Sequence, residues 1–164
     1  MSDPALHPGG CPCGALRYTL RGPLGQAYAC HCRACQKQTS SAFSFSLPIA
    51  LADLTLEGAP AVIERPTAAG AVTRGHLCPR CGGRLFHSSS RDPAAATLKV
   101  GSLDDPRGLR PAAHLWVREK LPWVLLEPGV PTFDTQPADL AAWRTDLRAG
   151  PRAGLRAGDG QTGG

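Results

Sequence analysis

The chain has 164 residues, 42% of them hydrophobic and 5% aromatic, with 7 Cys, 16 Pro, 19 Gly and a formal charge of +5. That length suits one domain with a modest core, and no apolar run approaches the roughly 18–20 residues of a membrane-spanning helix. The basic residues are scattered with no aromatic stacking platform among them, and seven metal-bound thiolates with two Zn2+ would lower the charge to about +2, so neither nucleic acid nor membrane is expected as a partner.

Residues 1–8 read as a flexible arm without the basic and apolar regions of an export signal. The folded domain is expected over residues 9–148. It begins with the Cys11-Pro12-Cys13 step, followed by alternation of Leu16, Tyr18 and Leu20, the period of a half-buried strand. Gly22-Pro23 breaks that strand, and a second extended run, 26–29, leads into Cys30-His31-Cys32-Arg33-Ala34-Cys35. Beyond that loop, 42–47 alternates again with Phe43, Phe45 and Leu47 on one side. Further strands are expected over 54–57, 61–65, 71–77, 84–88, 97–100, 114–117 and 124–127. Pro and Gly punctuate nearly every gap, so the pattern is that of an antiparallel all-β domain. Only 138–147, behind Pro137, reads as a helix, so one short C-terminal helix at most is expected. Residues 149–164 have almost nothing to bury against an ordering entropy of roughly 1–2 kcal/mol per residue, and read as a disordered Gly/Ala/Arg tail.

The cysteines carry the functional signal. Three thiols in six residues point to metal ligation, and three are one short of the four that close a tetrahedral structural zinc. The other four, Cys11, Cys13, Cys78 and Cys81, are enough for one closed site. Seven cannot all pair as disulfides, and a bridge within CxC would be strained. Another partition joins Cys32 and Cys35 to Cys78 and Cys81. The 42 residues between Cys35 and Cys78 exceed the roughly 15–20 typical of a zinc ribbon. Two zincs per chain, free-thiol ligands and no export signal place the expected protein in a reducing cytoplasm.

The run Gly9-Gly10-Cys11-Pro12-Cys13-Gly14-Ala15-Leu16-Arg17-Tyr18 resembles the opening of the glutathione-dependent formaldehyde-activating enzyme family, which includes centromere protein V. The resemblance continues through Cys30-His31-Cys32-Arg33-Ala34-Cys35, Cys78-Pro79-Arg80-Cys81-Gly82 and Gly101-Ser102-Leu103-Asp104-Asp105-Pro106. It ends with His114-Leu115-Trp116 and Pro122-Trp123. It implies a β-tent fold, a structural zinc on Cys11, Cys13, Cys78 and Cys81, and a catalytic zinc on Cys30, Cys32 and Cys35. It also implies a carbon–sulfur lyase that condenses glutathione with formaldehyde to S-hydroxymethylglutathione. Relatives usually carry Gly where this chain has Ser40.

A three-thiolate zinc is a weak Lewis acid suited to a soft fourth ligand, so a small substrate thiol such as glutathione is the expected partner. Two other readings stay open: a zinc-water enzyme on a non-thiol substrate, and a zinc-stapled protein-interaction module without catalysis. A homodimer is compatible with either. His31, His76 and His87 are the histidines that could close the second metal, while Arg33, Gln36 and Lys37 are candidates for a substrate carboxylate. Asp104-Asp105-Pro106 reads as a turn in which Asp104 bonds neighbouring backbone N–H groups. Trp116 and Trp123 read as core or pocket wall.

Overall fold

The computed structural model describes residues 4–67 and 69–150, so residues 1–3 of the expected arm and 151–164 of the expected tail lie outside the described residues. In chain order the elements are β1 (Leu6–Gly10), β2 (Arg17–Arg21), β3 (Ala27–Cys30), α1 (Arg33–Thr39), β4 (Ser44–Ala50), β5 (Leu54–Glu57) and β6 (Ala61–Pro66). They continue with β7 (Val72–Leu77), β8 (Arg84–Ser89), β9 (Asp92–Lys99), β10 (Pro111–Leu115), β11 (Thr132–Phe133) and α2 (Leu140–Arg148). The expectation of a β-rich domain holds. No described helix is long and apolar enough to cross a membrane.

The strands form a three-stranded sheet, β1-β2-β5, and an eight-stranded sheet, β11-β10-β3-β4-β9-β8-β7-β6. The alternation of Leu16, Tyr18 and Leu20 turns one face of β2 inward. These side chains are buried with Leu47, Ile49, Phe86 and Leu98 of the large sheet, forming the main core between the two sheets. Burying each such side chain contributes about 1.5–3 kcal/mol. On the opposite face of the large sheet, Tyr28, Ala113, Leu115 and Leu147 form a second cluster with Trp143 packed against it. Trp143 stands edge-on to both Tyr28 and Phe133, which docks α2. The Asp139 carboxylate caps α2 by accepting from the Ala142 N–H at 2.9 Å, satisfying an orphan donor of the first turn.

Several expectations are corrected. Residues 6–8 are part of β1, paired with β2 from Leu6↔Arg21 to Gly10↔Arg17, rather than of a loose arm. Residues 149 and 150 close α2 through backbone bonds to Thr145 and Leu147 rather than starting a tail. The large sheet is mixed, because β10 runs parallel to both β3 and β11; β3 and β10 are joined by most of the domain, a connection long enough for parallel pairing. The strand expected at 114–117 is displaced to Pro111–Leu115, since Trp116 has φ +59° and cannot extend it. Residues 124–127 form no strand: the edge of β10 is taken by β11 instead. Trp123 is 71% exposed and lines no core, its place being taken by buried Val124. The seven-residue α1 was not expected, because its sequence has no apolar periodicity to announce it.

Candidate metal centres

Cys11 and Cys13 stand in the turn between β1 and β2, and Cys78 and Cys81 in the turn between β7 and β8. Each turn is shaped by backbone bonds: the Cys11 N–H donates to Leu16 O, and the Cys78 N–H to Gly83 O. Gly82 adopts φ +73°, which ends the second turn and favours glycine. At Gly83 a Cβ would lie 2.8 Å from Pro12 Cδ and 3.4 Å from Cys81 Sγ, so only glycine lets the two turns close on each other.

The four sulfurs lie within 4.8 Å of one another. Cys11 and Cys13 Sγ are 3.5 Å apart and Cys13 and Cys78 Sγ 3.8 Å. A tetrahedral zinc with sulfur ligands at 2.3 Å puts its sulfurs about 3.8 Å apart, whereas a disulfide would bring them to about 2.05 Å. All seven cysteines are free thiols. This set could hold a metal ion. Burial alone would push the Cys11 thiol up, but the Leu16 N–H and the other three sulfurs outweigh it and bring it down to about 6. At Cys13 the Ala15 N–H pulls down, yet burial and the neighbouring sulfurs push the thiol up to about 11.

Cys30, Cys32 and Cys35 form a second group, again with sulfurs within 4.8 Å. The end of β3 delivers Cys30. Cys32 caps α1, its Sγ accepting from the Cys35 N–H at 3.4 Å, and the first turn of α1 presents Cys35. The Arg33 N–H donates to Glu119 Oε2 at 2.6 Å, so a carboxylate also caps this helix end. Shared sulfur hydrogen bonds hold the Cys32 thiol far down and push Cys30 well up. Three sulfurs this close cannot all ionise without a cation among them. Among the described residues, no His, Asp or Glu joins this trio to make a fourth ligand.

The histidines are engaged elsewhere. His31 is fully buried, and its Nε2 lies 3.0 Å from His114 Nδ1. Burial brings His31 down to about 4, so the ring is neutral. His76 stacks on Phe86 and bonds Ser88 Oγ, and His87, on β8, belongs to neither sulfur group. Gln36 is buried as a brace, its Nε2 donating to His31 O at 2.6 Å and Glu119 O at 2.9 Å. Arg33 pairs with Gln36 through its side chain, and Lys37 is exposed. Thr39 Oγ1 donates to Cys35 O at 2.8 Å, and Ser40 closes α1 with φ +50°.

The turn at Asp104-Asp105 differs in detail from expectation. Asp105, not Asp104, accepts from the Arg107 N–H and guanidinium; Asp104 is ion-paired with Arg17. Neither carboxylate belongs to a sulfur group.

Sequence reasoning missed Lys99, Ser44 and Ser46. Ser46 and Lys99 face each other across β4 and β9. The Lys99 Nζ donates to Ser44 Oγ at 2.7 Å and Ser46 Oγ at 3.2 Å, and the residue is only 8% exposed. Burial lowers its ammonium to about 8, while Cys35 works the other way. A charge inside the apolar run Thr97–Val100 was the available signal: on a strand buried on both faces, a lysine needs a reason.

A family model described as glutathione-dependent formaldehyde-activating enzyme matches residues 6–119. The crystal structure of a Rhodobacter sphaeroides protein is 22% identical with a TM-score of 0.47, covering 62% of this chain and 93% of that chain.

Proposed function

The chain belongs to the glutathione-dependent formaldehyde-activating enzyme family, and from that premise we propose that it is a zinc-dependent enzyme of the carbon–sulfur lyase type. Its substrates are glutathione or a similar small thiol and an aldehyde, joined to an S-hydroxyalkyl thiol. The observation that carries this reading is the three-thiol group at the start of α1, with no fourth ligand among the described residues. Cys30, Cys32 and Cys35 hold the catalytic zinc, and Cys11, Cys13, Cys78 and Cys81 hold a structural one.

When bound, a zinc on three thiolates supplies a soft site that keeps a substrate sulfur deprotonated and oriented. The chain's own residues position that site. Cys32 ties its sulfur to the N-terminus of α1, Gln36 and Glu119 lock the helix to the loop, and the neutral His31–His114 pair fills the space behind it without adding charge. In the forward direction the thiolate sulfur forms a bond to the carbonyl carbon while the carbonyl π bond breaks. The oxygen takes a proton from solvent, giving a neutral hydroxyl. Holding sulfur and carbon in reach is the enzyme's contribution.

Proton exchange spectroscopy on metal-replete protein tests this. We expect exchange between glutathione plus formaldehyde and S-hydroxymethylglutathione to exceed the uncatalysed rate, and a Cys32→Ser variant to return it to background. Exchange equal to background with the intact protein, at full metal content, would remove glutathione and formaldehyde as its substrates.

A further inference from the structure

Lys99 is a buried amine that the chemistry above does not use. It stands at the end of β9, only 8% exposed, with Ser46 directly opposite it on β4. Among the described residues its Nζ has two partners, Ser44 Oγ at 2.7 Å and Ser46 Oγ at 3.2 Å, and no ion pair includes it. An ammonium carries three N–H donors, one more than the two serine oxygens accept. A neutral amine carries two, so the same pair of oxygens satisfies it and leaves its lone pair free. The surroundings suit the neutral form.

Burial acts in the same direction. It brings the ammonium down to about 8; Cys35 and Cys30 work the other way, and Arg84 and Arg144 add to the lowering. At pH 7 about a tenth of such a group is neutral, against fewer than about one in a thousand for an ordinary lysine.

Lys99 also borders a cavity of about 450 Å³ beside the last turn of α1, with Thr39 and Ser40 on one side and Phe43 and Phe45 on the other. That volume lies within the size range of small-molecule sites. Gly101 stands on its wall, where a Cβ would meet nothing within 4 Å. A desolvated lysine amine at the edge of an open cavity is the arrangement that forms Schiff bases with carbonyl compounds. Ser44, which holds the amine, is directly opposite Cys30 across β3 and β4, and such pairs keep their Cβ atoms about 4.5–5.5 Å apart. A carbon held on Lys99 is therefore on the sheet face that carries the three-thiol group.

We propose that Lys99 is an aldehyde-capturing residue, its amine condensing reversibly with a small aldehyde to a carbinolamine and then an imine. The nitrogen lone pair forms the bond to the carbonyl carbon while the carbonyl π bond breaks. The oxygen gains the proton that the nitrogen gives up, which completes the carbinolamine. Its hydroxyl then leaves as water with a proton from solvent, the C=N bond forms, and the nitrogen returns its last proton to solvent. Water reverses both steps and frees the aldehyde. The proposal rests on the reading above for the aldehyde alone; the capture needs neither thiol nor metal.

Reductive trapping tests this on the full, metal-replete chain. The protein is treated near pH 7 with limiting formaldehyde and cyanoborohydride, without glutathione, and peptide mass spectrometry follows N-methylation at each lysine. The chain has three lysines, Lys37, Lys99 and Lys120, and Lys37 is exposed. We expect Lys99 to be methylated at least about tenfold faster than Lys37, the excess of neutral amine outweighing its burial. In urea the advantage should vanish, a control that needs no variant. Lys99 labelled no faster than Lys37, as an inert buried lysine would be, overturns the proposal, and so does an advantage that persists in urea. Fast labelling of Lys99 in a protein whose glutathione exchange stays at background upholds the capture and removes the thiol reading. Exchange above background with Lys99 slow to label does the reverse.

Discussion

The sulfurs of Cys13 and Cys78, 65 positions apart in the chain, lie 3.8 Å from each other. One belongs to the turn that opens the small sheet and the other to a turn of the large sheet, so this group fastens the two layers that enclose the main core. Losing one of its thiols should therefore damage the whole domain. Cys78→Ser or Cys11→Ser is predicted to lower zinc by one ion per chain and cost several kcal/mol, since metal binding of this kind contributes directly to folding. Metal analysis and thermal melts check it; full metal content with a normal melt would remove the structural role.

The opposite outcome is predicted at Cys32. Serine is itself a favoured N-cap, so Cys32→Ser keeps the cap on Cys35 N while losing a metal ligand. The variant should melt within a few degrees of wild type, retain one zinc and lose activity. Global unfolding would mean that this trio, and not the four-thiol group, is the staple.

Lys99 yields a pH prediction. Its ammonium is lowered from 10.5 to about 8 by burial. Between those values the unfolded chain binds more protons than the folded one, so this residue's contribution to stability rises with pH. Below about 8 the buried charge costs about 1–3 kcal/mol. Lys99→Met should be the more stable protein at pH 7, with Ser44 and Ser46 still bonded to each other at 3.1 Å. The gap should close as pH approaches 10.5. Melts of both proteins across that range check the sign; a variant less stable at pH 7 would contradict it.

Ser40 holds a left-handed conformation, φ +50° and ψ +39°, and its N–H closes α1 on Gln36 O. A residue with a Cβ stores about 1 kcal/mol there. Ser40→Gly is predicted to stabilise the fold by about that amount in denaturant titration, and a loss of stability would show that the hydroxyl has a role in the neighbouring cavity.

Asp104 pairs with Arg17 at the surface, both side chains more than a third exposed. Such pairs contribute little. Asp104→Asn should leave both activity and the thermal melt close to wild type; loss of turnover without loss of stability would give Asp104 a catalytic role.

The sulfur groups were legible because thiols at CxC and CxxC spacing have few other uses, and the strands were legible wherever one face alone is buried, as at Leu16, Tyr18 and Leu20. Legibility failed where structure depends on distant residues. Nothing near Arg33 announces α1, which is capped by Glu119 from 86 positions away. Residues 92–96 were missed because Pro93 and a run of alanines conceal the first half of β9. Lys99 was passed over because its partners, Ser44 and Ser46, come from β4, more than fifty positions away. Trp123 failed in the other direction: a large aromatic is usually buried, and here Val124 is the residue that turns inward.

X-ray absorption at the zinc edge, on metal-quantified protein with and without glutathione, tests the central claim most directly. The account predicts two zincs per chain, with average sulfur coordination rising from about 3.5 toward 4 when glutathione is added. Two zincs already fully sulfur-coordinated, or a spectrum that glutathione leaves unchanged, would contradict it.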